Sequence, residues 1–142
     1  MTNMDGLSTV FFDSEKEYIR RFCEEYKNPI KTPDGFIVSC KYIKKTAHHF
    51  CYGEINKFQE VRAHRILYAK YILLHPEERT ILENQKSKDA LLFFFSRKRN
   101  SYLLVCRVIN EKNLDLISGY PVFGSKVLDF QEPRFPYKFF QN

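Results

Sequence analysis

No stretch of this 142-residue chain reaches the roughly 18 consecutive apolar residues that a bilayer-spanning helix needs. The longest apolar run, Ala90 to Phe95, has only strand length. The first twelve residues, MTNMDGLSTVFF, lack a basic start and a long apolar segment, so no secretory leader is expected and a cytoplasmic location is. Proline and glycine are few, six and five, which excludes a low-complexity chain. Cysteine is sparse as well. The four residues, Cys23, Cys40, Cys51 and Cys106, contain no C-x-x-C pair and suggest no disulfide framework. Cys51 follows His48 and His49, but zinc needs three or four ligands in spaced pairs and the second pair is missing. Neither a metal nor a cofactor is therefore expected. Also missing are the P-loop, G-x-G-x-x-G, G-x-S-x-G and H-E-x-x-H signatures. Their absence turns the reading away from nucleotide hydrolysis, dinucleotide binding, and hydrolase or zinc-protease chemistry.

What is there suffices for one core. Apolar residues make up 44% of the chain and charged residues 28%, the balance of a single globular domain over 1–142. The formal charge is +6, and its distribution is uneven. Residues 1–40 hold 5 basic and 7 acidic side chains, residues 41–100 hold 13 and 6, and residues 101–142 hold 5 and 4. The positive middle favours a polyanionic partner such as nucleic acid.

The pattern from Ser14 to Lys27 predicts a helix capped by Ser14, with Glu17 three residues on and Tyr18, Phe22 and Tyr26 on one face. Asn28-Pro29 ends it, and Thr32-Pro33-Asp34-Gly35 is a turn. Phe36 to Tyr42 reads as a strand, while Lys44 to Glu54 has no assignable pattern. Residues 55–75, free of Gly and Pro and closed by Pro76, predict one long helix. Glu77 to Asn84 is a short helix or a strand. Strands follow at Ala90–Ser96, Tyr102–Ile109 and Leu114–Ser118, joined by turns short enough to make them antiparallel. The aromatic tail from Phe130 is expected to cross the core as an extended segment. The fold class is α+β, with N-terminal helices packed on an antiparallel meander.

On a wheel of about 100° per residue, Arg62 and Arg65 fall inside the apolar arc of the long helix, beside Ile55, Phe58, Val61, Ile66, Ala69, Ile72 and Leu73. A buried guanidinium needs a partner, so both are expected to point into one concave site beside the sheet. A phosphate there would suit them; an ion pair with Glu54 or Glu60 would also satisfy them. Lys70 flanks the arc. Of the adjacent His48 and His49, an extended backbone would turn at most one inward. His64 reads as a solvent residue, and His75 as a partner of the helix C-terminal dipole. Ser118 and Tyr120, two apart on a strand, share a face and could hold a phosphate or a ribose.

The succession of Arg62-Ala63-His64-Arg65-Ile66, His75-Pro76 and a strand ending in Ser118-Gly119-Tyr120-Pro121 resembles phage-associated ribonuclease-like domains of the barnase–EndoU–colicin–RelE superfamily. The resemblance covers about residues 48–124, and the corresponding core about 36–130. Ser118 stands where the family often has Thr, and no single catalytic histidine is evident. The resemblance implies metal-independent RNA cleavage by 2′-OH transesterification in a basic helix–sheet cleft. In that reading His49 or His48 is the acid–base, Arg62 and Arg65 clamp phosphate, and Ser118 and Tyr120 position the substrate. Lys70 and Arg107 are further substrate-binding candidates. RNA is the expected partner, an inhibitory antitoxin or immunity protein a further one, and a membrane is not. The rival is a non-catalytic nucleic-acid- or protein-binding module of phage or plasmid origin, with Phe93, Phe95 and Tyr102 stacking on bases where exposed.

Overall fold

The computed structural model describes residues 7–141. The leader expectation rests partly on residues 1–6, which lie outside it. No helix among the described residues is long and apolar enough to cross a membrane.

Helix α1 spans Glu15–Tyr26, and Ser14 caps it by accepting a hydrogen bond from the Glu17 amide at 3.2 Å. The Tyr18, Phe22 and Tyr26 face is buried, as the periodicity predicts. The hydroxyls of that face tie α1 to later elements: Tyr18 donates to the Ala47 carbonyl at 2.9 Å and Tyr26 to that of Ile66 at 2.5 Å. Strands β1, Ile30–Lys31, and β2, Ile37–Ser39, flank the expected turn, which Gly35 closes at φ 98°. The strand expected over Phe36–Tyr42 is thus only three residues long.

Two expectations fail on the helices. Residues 43–52, left unassigned, form helix α2, Ile43–Tyr52, burying Thr46, Ala47, Phe50 and Cys51 against the sheet. The predicted long helix is broken instead. Gly53 ends α2 at φ 61°, a non-helical segment follows, and the chain resumes as α3, Glu60–Ala63, and α4, Tyr68–Leu74. The connection from α3 to α4 is made by three-residue turns, with Arg65 N–H on the Arg62 carbonyl and Tyr68 N–H on that of Arg65. No continuous helix exists for the wheel to describe, so Ile55 and Val61, assigned to the apolar arc, are 53% and 56% exposed.

After a single turn at Pro76–Glu78 the chain enters the meander: β3, Arg79–Asn84; β4, Ala90–Arg97; β5, Asn100–Asn110; and β6, Asn113–Val122. Short helix α5, Lys126–Gln131, and strand β7, Tyr137–Phe139, complete the chain. The sheet order is β1-β2-β6-β5-β4-β3-β7; every neighbouring pair is antiparallel except β2 with β6. The tail is therefore partly regular, with β7 adding to the sheet at β3.

Strand β4 shows why the sheet has two covered faces. Its alternate residues Leu91, Phe93 and Phe95 face α1–α4, while Leu92 and Phe94 face Phe130 of α5. Arg79, at the start of β3, is 1% exposed along its side chain. It donates to the Ile72 and Leu73 carbonyls that end α4 and forms a fork on Asp34 at 2.8 and 3.0 Å.

Burial tends to raise the Asp34 carboxyl's pKa, but the Arg79 hydrogen bonds outweigh it and hold the group below the usual range. A carboxylate whose folded pKa is depressed stabilises the fold above its unfolded pKa, near 3.9, and loses that contribution as pH falls. Chemical denaturation at pH 7 should show Asp34→Asn to be less stable than the parent. The gap should close by about pH 2; a gap independent of pH contradicts the assignment.

Candidate functional site

The open edge of β6 positions the cleft. Strand β2 pairs with β6 only from Asn113 to Asp115. Beyond a bulge near Ile117, the remainder of β6 has β5 on one side and, among the described residues, no strand on the other. Helix α2 and Arg62 occupy that side. Thr46 Oγ1 donates to the Leu116 carbonyl at 3.2 Å, and Arg62 Nη2 to that of Gly119 at 3.1 Å. Two residues on, at the next position facing this edge, Pro121 has no N–H to offer. Sheet extension is thereby blocked, and the end of β6 forms a cleft wall.

Arg62 holds the other wall. Its Nε donates to the Phe50 carbonyl at 2.9 Å, and Nη2 also to His49 at 3.2 Å. These carbonyls lie in the last turn of α2, where, among the described residues, Phe50 has no backbone donor and His49 has only the Gly53 amide, and where a positive charge complements the dipole. Nη1 is left without a protein partner among the described residues. The guanidinium also lies 5.8 Å from the centre of the Tyr120 ring. Two glycines make room for this arrangement. A Cβ on Gly53 would stand 2.9 Å from Arg62 Cζ, and one on Gly119 would stand 2.7 Å from the Phe50 ring and 2.8 Å from that of Tyr102.

Around this brace opens a cleft of about 1180 Å³, lined by His49, Arg62, Ser118 and Tyr120 among others. Four sequence candidates thus come together from α2, α3 and β6. His49 is exposed on the last turn of α2. Tyr120 is half-buried, and burial raises its pKa, so its hydroxyl keeps its proton. Glu54, Asp129 and Glu132 supply acidic groups to the same walls, and Lys126 and Arg134 join Arg62 as basic ones.

The other candidates lie elsewhere. His48 stacks on Tyr52 at 3.8 Å, outside the cleft lining. Arg65 folds back on its own turn, with Nη1 donating to the Val61 carbonyl at 2.6 Å and the guanidinium 5.8 Å from the Tyr68 ring centre. Its Nε is buried and unpartnered. The expectation that both arginines point into one site therefore fails: Arg62 lines the cleft and Arg65 does not. Lys70 pairs with Glu25 at 3.0 Å, and Arg107 with buried Asp115 at 3.3 Å. Phe93, Phe95 and Tyr102 are fully buried and cannot stack on bases. His64 is half-buried against Phe11 rather than solvated. His75 meets the α4 terminus as expected, its Nδ1 2.8 Å from the Tyr71 carbonyl.

The thiol of Cys51 is buried, and burial pushes its pKa up to about 12, which removes it as a nucleophile near neutral pH. Among the described residues one trio of His and carboxylate side chains, His75, Glu77 and Glu78, has ligand atoms within 4.8 Å of one another. It stands outside the cleft, and Glu78 already accepts hydrogen bonds from Tyr71 and Arg97. Sequence reasoning missed Lys126, Arg134 and the aromatic groups around them, because α5 and the tail have no chemical motif.

Gly119→Ala should lower stability by about 1–3 kcal/mol in urea unfolding, since a methyl group there overlaps two core rings. Ser118→Ala, on the cleft face, should stay within about 0.5 kcal/mol. Equal effects of the two would contradict the packing described. Set beside known proteins, the chain matches no family model, no curated protein and no solved structure.

Proposed function

We propose that the cleft cleaves RNA without a metal, by attack of a ribose 2′-oxygen on the adjacent phosphorus. The observation that supports this reading is the convergence of His49, Arg62, Ser118 and Tyr120 on one cleft. His49 takes the 2′-hydroxyl proton as the oxygen bonds to phosphorus. The bond to the 5′-oxygen breaks, and His49 returns the proton to the leaving oxygen, while Tyr120 positions the substrate. Arg62 offers Nη1 to the phosphoryl oxygens on which charge accumulates. Ser118 holds the ribose or phosphate in register. Products are a 2′,3′-cyclic phosphate and a 5′-hydroxyl. An acidic inhibitory protein that masks Arg62, Lys126 and Arg134 is the antitoxin or immunity partner consistent with this chemistry, and a cytoplasmic location suits both.

One observation favours the second reading, a non-catalytic binding module. Arg62 already serves three backbone carbonyls, so little of its charge is uncommitted.

Purified protein incubated with total RNA in EDTA should generate cyclic-phosphate ends. His49→Ala should lower the rate by about 10²–10⁴-fold while leaving the unfolding midpoint unchanged, because the ring is exposed. Cleavage that requires added magnesium, or that survives His49→Ala, contradicts the assignment. No cleavage under any condition leaves the binding module in its place.

A further inference from the structure

Of the large apolar side chains left exposed, Ile55, Phe123, Leu128 and Phe135 line one cleft, while others such as Phe11, Tyr42 and Val61 lie outside it. Phe123 and Phe135 are 61% and 68% exposed, and both line the cleft that holds His49 and Arg62. Half-buried Tyr120 and Tyr137 line it too. The chain reaches this wall through Gly124, which takes φ 59° just after Phe123, and through α5, whose Phe130 stacks under Phe94 at 5.4 Å. Phe123 and Phe135 are therefore carried on a packed support rather than on a loose tail. Phe130 also meets Tyr137 at 5.7 Å, which fixes the far end of the same wall.

The charges on this wall are uncommitted. The side chains of Lys126 and Arg134 enter no ion pair or hydrogen bond among the described residues, unlike those of Lys70, Arg79 and Arg107. Lys86 reaches over the outer Phe135 ring, 5.0 Å from its centre. Exposed rings interleaved with free cations suit unpaired nucleobases, since each base presents a π-face and its phosphates meet the cations. A duplex, with its bases stacked inside, offers those rings nothing. Asp129 and Glu132 on the same walls reduce the net charge. A ligand held there by charge alone is thus disfavoured, and stacking must carry more of the affinity.

We infer that the wall formed by Phe123, Phe135, Lys126 and Arg134 is a base-stacking platform for single-stranded RNA leading into the His49 cleft. This rests on the cleavage reading for its ligand class. It also replaces the buried Phe93, Phe95 and Tyr102 as the stacking surface.

The test uses the full chain carrying His49→Ala, so that binding is read without turnover. Fluorescence anisotropy is measured with a ten-nucleotide oligoadenylate, and with a ten-base-pair RNA duplex as the comparison. The single strand should bind more tightly than the duplex. Phe123→Ala and Phe135→Ala should each weaken it by about 5- to 100-fold, with Phe123→Trp recovering the affinity. Both rings are exposed, so neither change should disturb folding. Because most of the affinity comes from stacking, the salt dependence should be shallow, equivalent to roughly two or three phosphate contacts. Equal affinity for strand and duplex, Ala variants within twofold of the parent, or no binding of the strand at low salt would each overturn the platform. These outcomes are separable from the cleavage result. Loss of strand binding in the Ala variants without cleavage by the wild type leaves the platform standing and removes the catalysis. Cleavage by the wild type with unaltered binding by the Ala variants does the reverse.

Discussion

One guanidinium joins the helical layer to the open edge of the sheet. Among the described residues, the Phe50 carbonyl in the last turn of α2 has no backbone donor and that of His49 has only the Gly53 amide, and the outer half of β6 presents carbonyls that no neighbouring strand reaches. Arg62 meets both needs with Phe50, His49 and Gly119. The planar fork suits this because its donors point in several fixed directions at once; an ammonium on a flexible stem would not hold the same three acceptors. Gly53 is required beneath the guanidinium, and Gly119 beneath the rings of Phe50 and Tyr102 at the same edge. The cleft exists because this brace holds α2 against β6 at a position where Pro121 prevents another strand from closing the gap.

The same device appears at the end of α4, where Arg79 takes the Ile72 and Leu73 carbonyls and forks onto Asp34. Together the two arginines change what the positive charge of the middle segment means. Arg62, Lys70, Arg79 and Arg97 belong to the surplus in residues 41–100, yet all four are engaged inside the fold with carbonyls, Glu25, Asp34 or Glu78. The charge that lines the cleft with Arg62 comes instead from Lys126 and Arg134, in the nearly neutral last third of the chain. A count along the sequence and the field at the site are different quantities.

Local signals were readable wherever a residue type has one dominant use. Ser14 capping α1, the Tyr18–Phe22–Tyr26 face, and the short turns of the meander all follow from such signals. The helix over 55–75 did not survive because nothing in its composition marks the break. The chain leaves the α-helix after Ala63 through three-residue turns while Arg62 reaches back to α2 and β6, contacts that are tertiary. Helix α2 was hidden for the opposite reason: Ile43, Ala47, Phe50 and Cys51 have helical spacing, but Lys44, Lys45, His48 and His49 dominate the segment. Of the site, His49, Arg62, Ser118 and Tyr120 were legible as residue types. Which of the two arginines would face the cleft was not, because Arg65 is claimed by Val61 and Tyr68. The parallel pairing of β2 with β6, and the return of the tail as β7, depend on contacts with no local pattern.

Native-state amide hydrogen exchange on Arg62→Lys tests the brace most directly, since the substitution keeps the charge and removes the fork. The expected result is faster exchange confined to the end of α2, including the Gly53 amide that bonds to the His49 carbonyl, and to the Ser118–Val122 stretch of β6. Protection in α1 and in β3 and β4 should be retained. Unchanged protection at the end of α2 and along outer β6, or an equal loss across the whole sheet, would contradict the view that this one side chain joins the two layers.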